Sequence, residues 1–243
     1  MYYDKWAKVY DLIYGNNKDD ANYYKNEAKK VKGKVLEIGC GTGRIYLELL
    51  KDGVDAYGID SSSEMLKSLN KKAKKLGLKP KIKKADMKSF KLRDKFSLII
   101  IPFRAFLHNL TIEDQLQTLK NIKTHLSSNG KLILNFFLPN YKIMAYKFNK
   151  QIKRTIKTKS GKFLLIEKSY FIDEPNQIIE FTNTIFKNNK KIWSGKLKLA
   201  LIYKKQFELL LSMVGFKQWK VYGGFNYQSL KSSKQEMVWI IEN

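Results

Sequence analysis

From Val35 to Arg44 the chain reads Val-Leu-Glu-Ile-Gly-Cys-Gly-Thr-Gly-Arg, and few folds accommodate that order. Four residues of buried-strand character run straight into three glycines at alternate positions, and Arg44 to Lys51 then carries helical spacing. Glycine lets a backbone turn sharply after a strand and lets a ligand approach the main chain closely. A dinucleotide site wants the spacing G-x-G-x-x-G. Here Arg44 stands where its last glycine would be, and Glu37 places an anion before the turn, where it would repel a pyrophosphate and suit a cationic ligand such as an amino group.

The rest of the first half alternates short apolar strands with amphipathic helices, the pattern of parallel strands joined by helical crossovers. A polar helix opens at Asp19 and Asp20 and runs to about Lys32 before Gly33. Further strands are expected at Val54 to Ile59, Lys81 to Ala85, Phe96 to Ile101 and, after an Asn129-Gly130 turn, Lys131 to Leu138. Ser61-Ser62-Ser63-Glu64 fits a capping box for the helix carrying Leu66, Leu69 and Ala73, and Thr111 starts a helix with Leu116, Leu119, Ile122 and Leu126 on its apolar face. After Pro139 the character changes. The basic residues 141 to 160 admit a helix; from Lys162 to Tyr203 the pattern is strand, turn, strand, turn, strand, with turns at Glu174-Pro175-Asn176 and Asn188-Asn189. A helix returns at Lys204 to Val214, followed by strands near 216–222 and 236–241.

The chain of 243 residues is long enough for one large α/β domain with an insertion, and no apolar run reaches the ~20 residues of a membrane helix. One cysteine, Cys40, excludes an internal disulfide; with no leader pattern at the start, a cytoplasmic location is expected. The net charge of +25 raises nucleic acid as a partner. However, the arginines are only Arg44, Arg93, Arg104 and Arg154, and the lysines are spread from end to end, which points to solvated faces while keeping an anionic partner or acceptor open.

The segment Glu37-Ile38-Gly39-Cys40-Gly41-Thr42-Gly43 resembles the first motif of class I, Rossmann-like S-adenosylmethionine-dependent methyltransferases. Three further motifs follow in order at matching places: Asp60 ending the second strand, Ala85-Asp86-Met87 after the third, and Ile101-Pro102-Phe103-Arg104 after the fourth. The N-terminal Tyr3-Asp4, Ala7, Tyr10-Asp11 and Tyr14 are similar to the start of small-molecule members, closest to sugar N-methyltransferases with a sheet inserted after the fifth strand. The resemblance implies a seven-stranded, mostly parallel sheet formed by residues 1–140 and 204–243, with 141–203 as an inserted antiparallel β subdomain and a homodimer contact through that sheet open. It assigns S-adenosylmethionine, and its product S-adenosylhomocysteine, to Tyr10, Glu37, Gly39, Cys40, Gly41, Gly43, Arg44, Asp60, Ser61, Met65, Asp86, Met87 and Pro102. Asp60 would hold the ribose hydroxyls and Asp86 with Met87 the adenine; Cys40 is a small residue in the turn and not a nucleophile.

His108, Tyr3 and Arg104 are the candidates for acceptor chemistry, because they lie after the fourth strand or in the closing segment. A sulfonium already carries an excellent leaving group, so alignment and exclusion of water matter most, and a base is needed only if the acceptor must lose a proton first. His125, near a helix end, reads as structural, its charge suiting the helix C-terminus; no metal-ligand spacing is present. Pro102-Phe103 lacks the polar residue of amino-group nucleic-acid methylases, so a small-molecule acceptor is expected first and RNA second. A non-catalytic binding module with the same fold is the alternative of another class, and its signature would be loss of Glu37, Asp60 and Asp86.

Overall fold

A computed structural model describes residues 2–15, 19–158 and 161–243. Its elements are a 3-10 turn (Tyr2–Lys5), α1 (Tyr10–Tyr14), α2 (Asp19–Lys30), β1 (Val35–Ile38), α3 (Tyr46–Lys51), β2 (Ala56–Asp60), α4 (Ser63–Lys75), β3 (Lys81–Lys84) and β4 (Phe96–Ile101). A second 3-10 turn (Ala105–His108) precedes α5 (Ile112–His125), β5 (Leu126–Phe137) and α6 (Tyr141–Lys147). Then come β6 (Ile152–Thr158), β7 (Gly161–Asp173), β8 (Ile178–Lys187), β9 (Lys190–Ala200), α7 (Lys204–Val214), β10 (Gln218–Tyr222) and β11 (Glu236–Glu242).

Seven strands form one sheet in the order β10-β11-β5-β4-β1-β2-β3. The pairs from β3 across to β5 are parallel, and β11 is antiparallel to both its neighbours, so it alone is reversed. This is the class I methyltransferase sheet. Strands buried on both faces need apolar residues of both parities, and β4 supplies them. Its Ile99 and Ile101 pack with Leu119 and Ile122 of α5 and Phe207 and Leu211 of α7, whereas Leu98 and Ile100 face Tyr24, Tyr46 and Leu69 of α2, α3 and α4. Each such side chain contributes roughly 1.5–3 kcal/mol when fully buried.

The second sheet is antiparallel in the order β6-β7-β8-β9 and lies in the chain between β5 and α7. Its turn at Asn188 and Asn189 places both residues at positive φ (49° and 60°), the mirror-image turn that a two-residue hairpin favours and that asparagine tolerates. The sheet has four strands, not the three expected after Lys162. Within the basic stretch 141–160, α6 ends at Lys147 and β6 then pairs with β7 from Ile152 to Thr158; residues 159–160 lie outside the described set. Alternating Ile152, Arg154 and Ile156 satisfy a sheet edge, and pairing with β7 overrode the helical tendency of the lysines.

Two local expectations shift by a few residues. The cap of α4 is Ser62, whose Oγ accepts from the Met65 amide at 3.2 Å; Glu64 therefore sits in the first turn and closes no capping box on Ser61. Strand β5 begins at Leu126, and the Asn129-Gly130 turn is a bulge inside it: Phe96 pairs with Leu126 but Leu98 with Lys131. A Cβ on Gly130 would stand 2.8 Å from the Phe96 carbonyl oxygen, so the close strand approach requires glycine.

The N-terminal segment packs against the second sheet. Trp6, Val9 and Ile13 form a small core with Phe163, Leu165 and Ile185. The Trp6 Nε1 donates to the Lys196 carbonyl at 3.2 Å and Trp193 Nε1 to the Lys5 carbonyl at 2.9 Å. Asp4 accepts from Ser62 Oγ at 2.6 Å, and Asp11 holds both Thr42 Oγ1 (2.7 Å) and Lys72 (2.6 Å). The segment is thus fastened to the second sheet on one side and to the glycine turn on the other.

Candidate active site

In an open α/β sheet, ligands bind beyond the carboxyl ends of the strands where the strand order reverses, here between β1 and β4. A cavity of about 520 Å³ occupies that crevice. The glycine turn forms its floor. Gly39 and Cys40 donate their amides to the Ile59 carbonyl at 2.8 and 3.0 Å, bending the chain over the end of β2. Gly39, Gly41 and Gly43 all have positive φ (72°, 52° and 86°), a conformation side chains resist. A Cβ on Gly41 would meet nothing nearer than 3.9 Å, so that residue leaves its face bare for a ligand.

Glu37 is 3% exposed at the end of β1, and its Oε2 has no hydrogen-bond partner. Burial pushes its carboxyl well above the carboxylate range, against the opposing pull of the Arg44 cation. A buried, partnerless carboxyl oxygen facing a cavity is matched by an incoming ammonium group. Asp60 is better satisfied: Oδ2 accepts from the Gly41 amide and Oδ1 from the Ser62 amide, both at 2.8 Å. It binds the glycine turn to the start of α4 while keeping lone pairs for a ligand, and burial raises its pKa. Asp86 is exposed at the rim and accepts from the Lys88 amide at 2.8 Å; Met87 packs its sulfur against Asn109.

Cys40, Arg44, Ser61, Met65, Pro102 and Tyr10 also line the cavity. Gly43 does not. It is turned from the ligand space toward α3 and α4, where a Cβ would stand 2.9 Å from Cγ of both Leu47 and Leu69, so it is a packing position. Arg44 forks onto Asp20 and lies 4.9 Å over the Phe103 ring.

On the other wall, His108 and Tyr3 meet. The ring Nδ1 of His108 faces the Lys198 carbonyl at 3.0 Å, which requires a proton on Nδ1; Nε2 then accepts from the Tyr3 hydroxyl. Burial lowers the His108 pKa to about 4, so the ring is neutral near neutrality. Arg104 is bound bidentately to Glu236 at 3.0 and 2.7 Å and lies over Phe137, so its fork already holds a carboxylate. Phe103 and Arg104 are consecutive residues of positive φ (54° and 67°). The Asn135 side chain accepts from the Phe103 amide at 2.8 Å and its carbonyl from the Arg104 amide at 3.1 Å, holding this strained corner in place. His125 is structural: Nε2 accepts from the Leu92 amide at 3.2 Å and Nδ1 faces the Asn121 carbonyl at 2.8 Å.

Several lining residues escape sequence reasoning. Glu167, Phe181, Asn183 and Leu197 reach the cavity from the second sheet. Their one visible signal is strand alternation, which marks a face without saying what it covers. Asn135 has no signal beyond being a polar residue in an apolar strand.

Residues 35–130 match the family described as a methyltransferase domain. With that match and this strand order, residues 35–130 carry a methyltransferase domain and the chain has the class I methyltransferase fold. Among curated proteins it is 31% identical over 142 residues to an uncharacterized methyltransferase of Geobacillus sp. (strain WCH70), covering 54% of this chain and 63% of that one. It is 28% identical over 141 residues to dTDP-3-amino-3,4,6-trideoxy-alpha-D-glucopyranose N,N-dimethyltransferase of Streptomyces venezuelae, covering 55% and 58%. The chain thus spans less than two thirds of the length of these relatives. Among solved structures, an S-adenosylmethionine-dependent methyltransferase from Clostridium acetobutylicum superposes with a TM-score of 0.80 at 17% identity, over 99% of this chain and 98% of that one. Streptomyces venezuelae DesVI superposes at 0.73 and 20% identity, over 97% of both. At these identities the superpositions speak for the fold.

Proposed function

We propose that the chain methylates a nucleophilic nitrogen or oxygen of a small-molecule acceptor, using S-adenosylmethionine bound on the glycine turn. The observation that carries this is a single cavity lined at one end by Glu37, the glycine turn and Asp60, and at the other by Tyr3, His108 and the second sheet. In this assignment residues 1–140 and 204–243 form the cofactor-binding part and 141–203 an inserted cap. The match to an amino-sugar N,N-dimethyltransferase favours a small acceptor over RNA.

S-adenosylmethionine supplies, when bound, a methyl group on a sulfonium centre. Glu37 receives the cofactor's ammonium group, Asp60 its ribose hydroxyls, and Asp86 and Met87 its base. The fit rests on the partnerless Oε2 of Glu37 and the bare face of Gly41. The aromatic N-terminal segment closes the site and excludes water, which strengthens every electrostatic contact inside. Tyr3 keeps its proton on the neutral His108, leaving its oxygen lone pair to accept from an acceptor N–H or O–H and so orient the nucleophile.

Calorimetric titration with S-adenosylhomocysteine, beside NADH and a generic RNA, tests the proposal. Micromolar binding of S-adenosylhomocysteine alone is expected. Salt-sensitive RNA binding without it would overturn the enzyme assignment in favour of a nucleic-acid module.

A further inference from the structure

The face that the second sheet turns toward the cavity is polar at one cross-strand row. Glu167 on β7 and Asn183 on β8 are register partners, and both line the cavity. The next residue of that row, on β9, is Gly195, beside the Trp6 ring. Glu180 and Lys196, of the opposite parity on β8 and β9, pair with each other at 2.8 Å. The row is bordered by Phe181 and Leu197, register partners that also line the cavity.

Asn183 is 2% exposed, and its Oδ1 has no hydrogen-bond partner. A buried carbonyl oxygen left unpaired is destabilising, and a ligand donor in the cavity would relieve it. Glu167 lies beside it with a side chain 32% exposed; its partner Arg154 stands 3.8 Å away and does not line the cavity. The row therefore presents an unpartnered carbonyl acceptor on Asn183, whose side chain also hydrogen-bonds Tyr14, and an anionic acceptor on Glu167. The cations on the cavity wall do not offset this: Arg44 is held by Asp20, Arg104 by Glu236 and Lys88 by Asp114, while Lys198 is an exposed residue whose carbonyl serves His108.

From these positions we infer that Glu167 and Asn183 select the acceptor, holding an amine through its N–H donors and rejecting anionic acceptors in spite of the chain's net charge of +25. An amine that gains a methyl group becomes an ammonium ion, and the Glu167 carboxylate faces that charge. The Asn183 carbonyl fixes which donor lies beside it. Phe181 and Leu197 border the polar row with an apolar surface, so the acceptor is a small molecule with a compact polar edge. The inference rests on the proposed methyl transfer and deepens it.

Protein saturated with S-adenosylhomocysteine is titrated with amino sugars and amino alcohols, and separately with glucuronate, galacturonate and glucose 6-phosphate. At least one amine is expected to bind, at least tenfold more tightly than any of the anions. Glu167→Gln should weaken that amine tenfold or more and Asn183→Leu fivefold or more, with S-adenosylhomocysteine affinity within twofold of wild type in both, which also reports that each variant is folded. Should Asn183→Leu not fold, the isosteric Glu167→Gln decides. An anion binding as tightly as the amines, no amine binding, or an unchanged amine affinity in folded Glu167→Gln overturns the inference while leaving the cofactor site standing. Failure of wild-type protein to bind S-adenosylhomocysteine removes the function proposal itself, so the two failures are distinct.

Discussion

The Tyr3 hydroxyl donates to Nε2 of His108, joining the N-terminal segment to the turn that follows β4. Because the opposite ring nitrogen is tied to the Lys198 carbonyl, the histidine tautomer is set by the second sheet and the tyrosine proton by the histidine. Three separate parts of the chain thus meet in one polar chain at the acceptor side.

Tyr3→Phe removes the hydroxyl but keeps the ring. We expect kcat/KM for the acceptor to fall roughly tenfold or more, within the range of an acid–base or orienting contact, with S-adenosylhomocysteine affinity within twofold of wild type. Steady-state kinetics beside calorimetry checks this; equal losses in both would make Tyr3 a cofactor ligand instead.

The His108 pKa of about 4 lies below the ordinary 6.5, so between those values the unfolded chain binds the proton that the folded chain refuses. Stability should therefore fall as pH drops from about 6.5 to about 4, by at most about 3.5 kcal/mol at ~1.4 kcal/mol per unit. Thermal unfolding of wild type and His108→Gln across this range should diverge, with the variant flatter. Parallel curves would mean that the ring titrates normally.

Glu37 couples pH to cofactor binding. Burial holds its carboxyl protonated above the usual range in the free protein, and a cofactor ammonium would restore the carboxylate. Binding of S-adenosylhomocysteine should then release a proton, and affinity should rise with pH from the ordinary carboxylate range up to the raised pKa. Calorimetry in buffers of differing ionisation enthalpy measures that proton. Glu37→Gln should abolish its release and weaken binding tenfold or more.

Asp60→Ala should weaken S-adenosylhomocysteine binding more than tenfold. It also deletes two hydrogen bonds, to the Gly41 and Ser62 amides, each worth about 1.5–3 kcal/mol for a charged acceptor. A melting temperature lowered by several degrees should accompany the binding loss, and wild-type affinity would remove Asp60 from the site.

The glycines of the turn should separate by phenotype. Gly43→Ala places a methyl 2.9 Å from Leu47 and Leu69 at a φ of 86°, and should cost roughly 2–4 kcal/mol of stability. Gly41→Ala meets no atom nearer than 3.9 Å and should harm cofactor binding more than melting temperature. Thermal scans with and without S-adenosylhomocysteine distinguish them.

The glycine turn and the parallel strands around it were legible in the sequence because their determinants are local. A strand, three glycines and an acid near the ends of β1, β2 and β3 are close in sequence to the elements they belong to, and the backbone geometry they impose acts within a few residues. Parallel topology also followed from alternation, since a parallel strand must be reached by a crossover. Errors arose where local signals compete. Ser61 and Ser62 are equally good caps, and packing chose the second. Asn129-Gly130 suits a turn and a bulge alike, and the close approach to Phe96 decided for the bulge.

What a stretch of residues encodes through its own backbone and periodicity, such as the glycine turn, the order of strands and helices, and the acids at strand ends, was present in the chain as written. What depends on which surfaces come to face each other was decided by the tertiary structure. Glu167 and Asn183 become partners only through the β7–β8 register, and Tyr3 and His108 only when the N-terminal segment closes against the second sheet. A side chain's periodicity specifies the face it occupies; burial, charge and the missing partner that make it functional are properties of the neighbours that folding supplies.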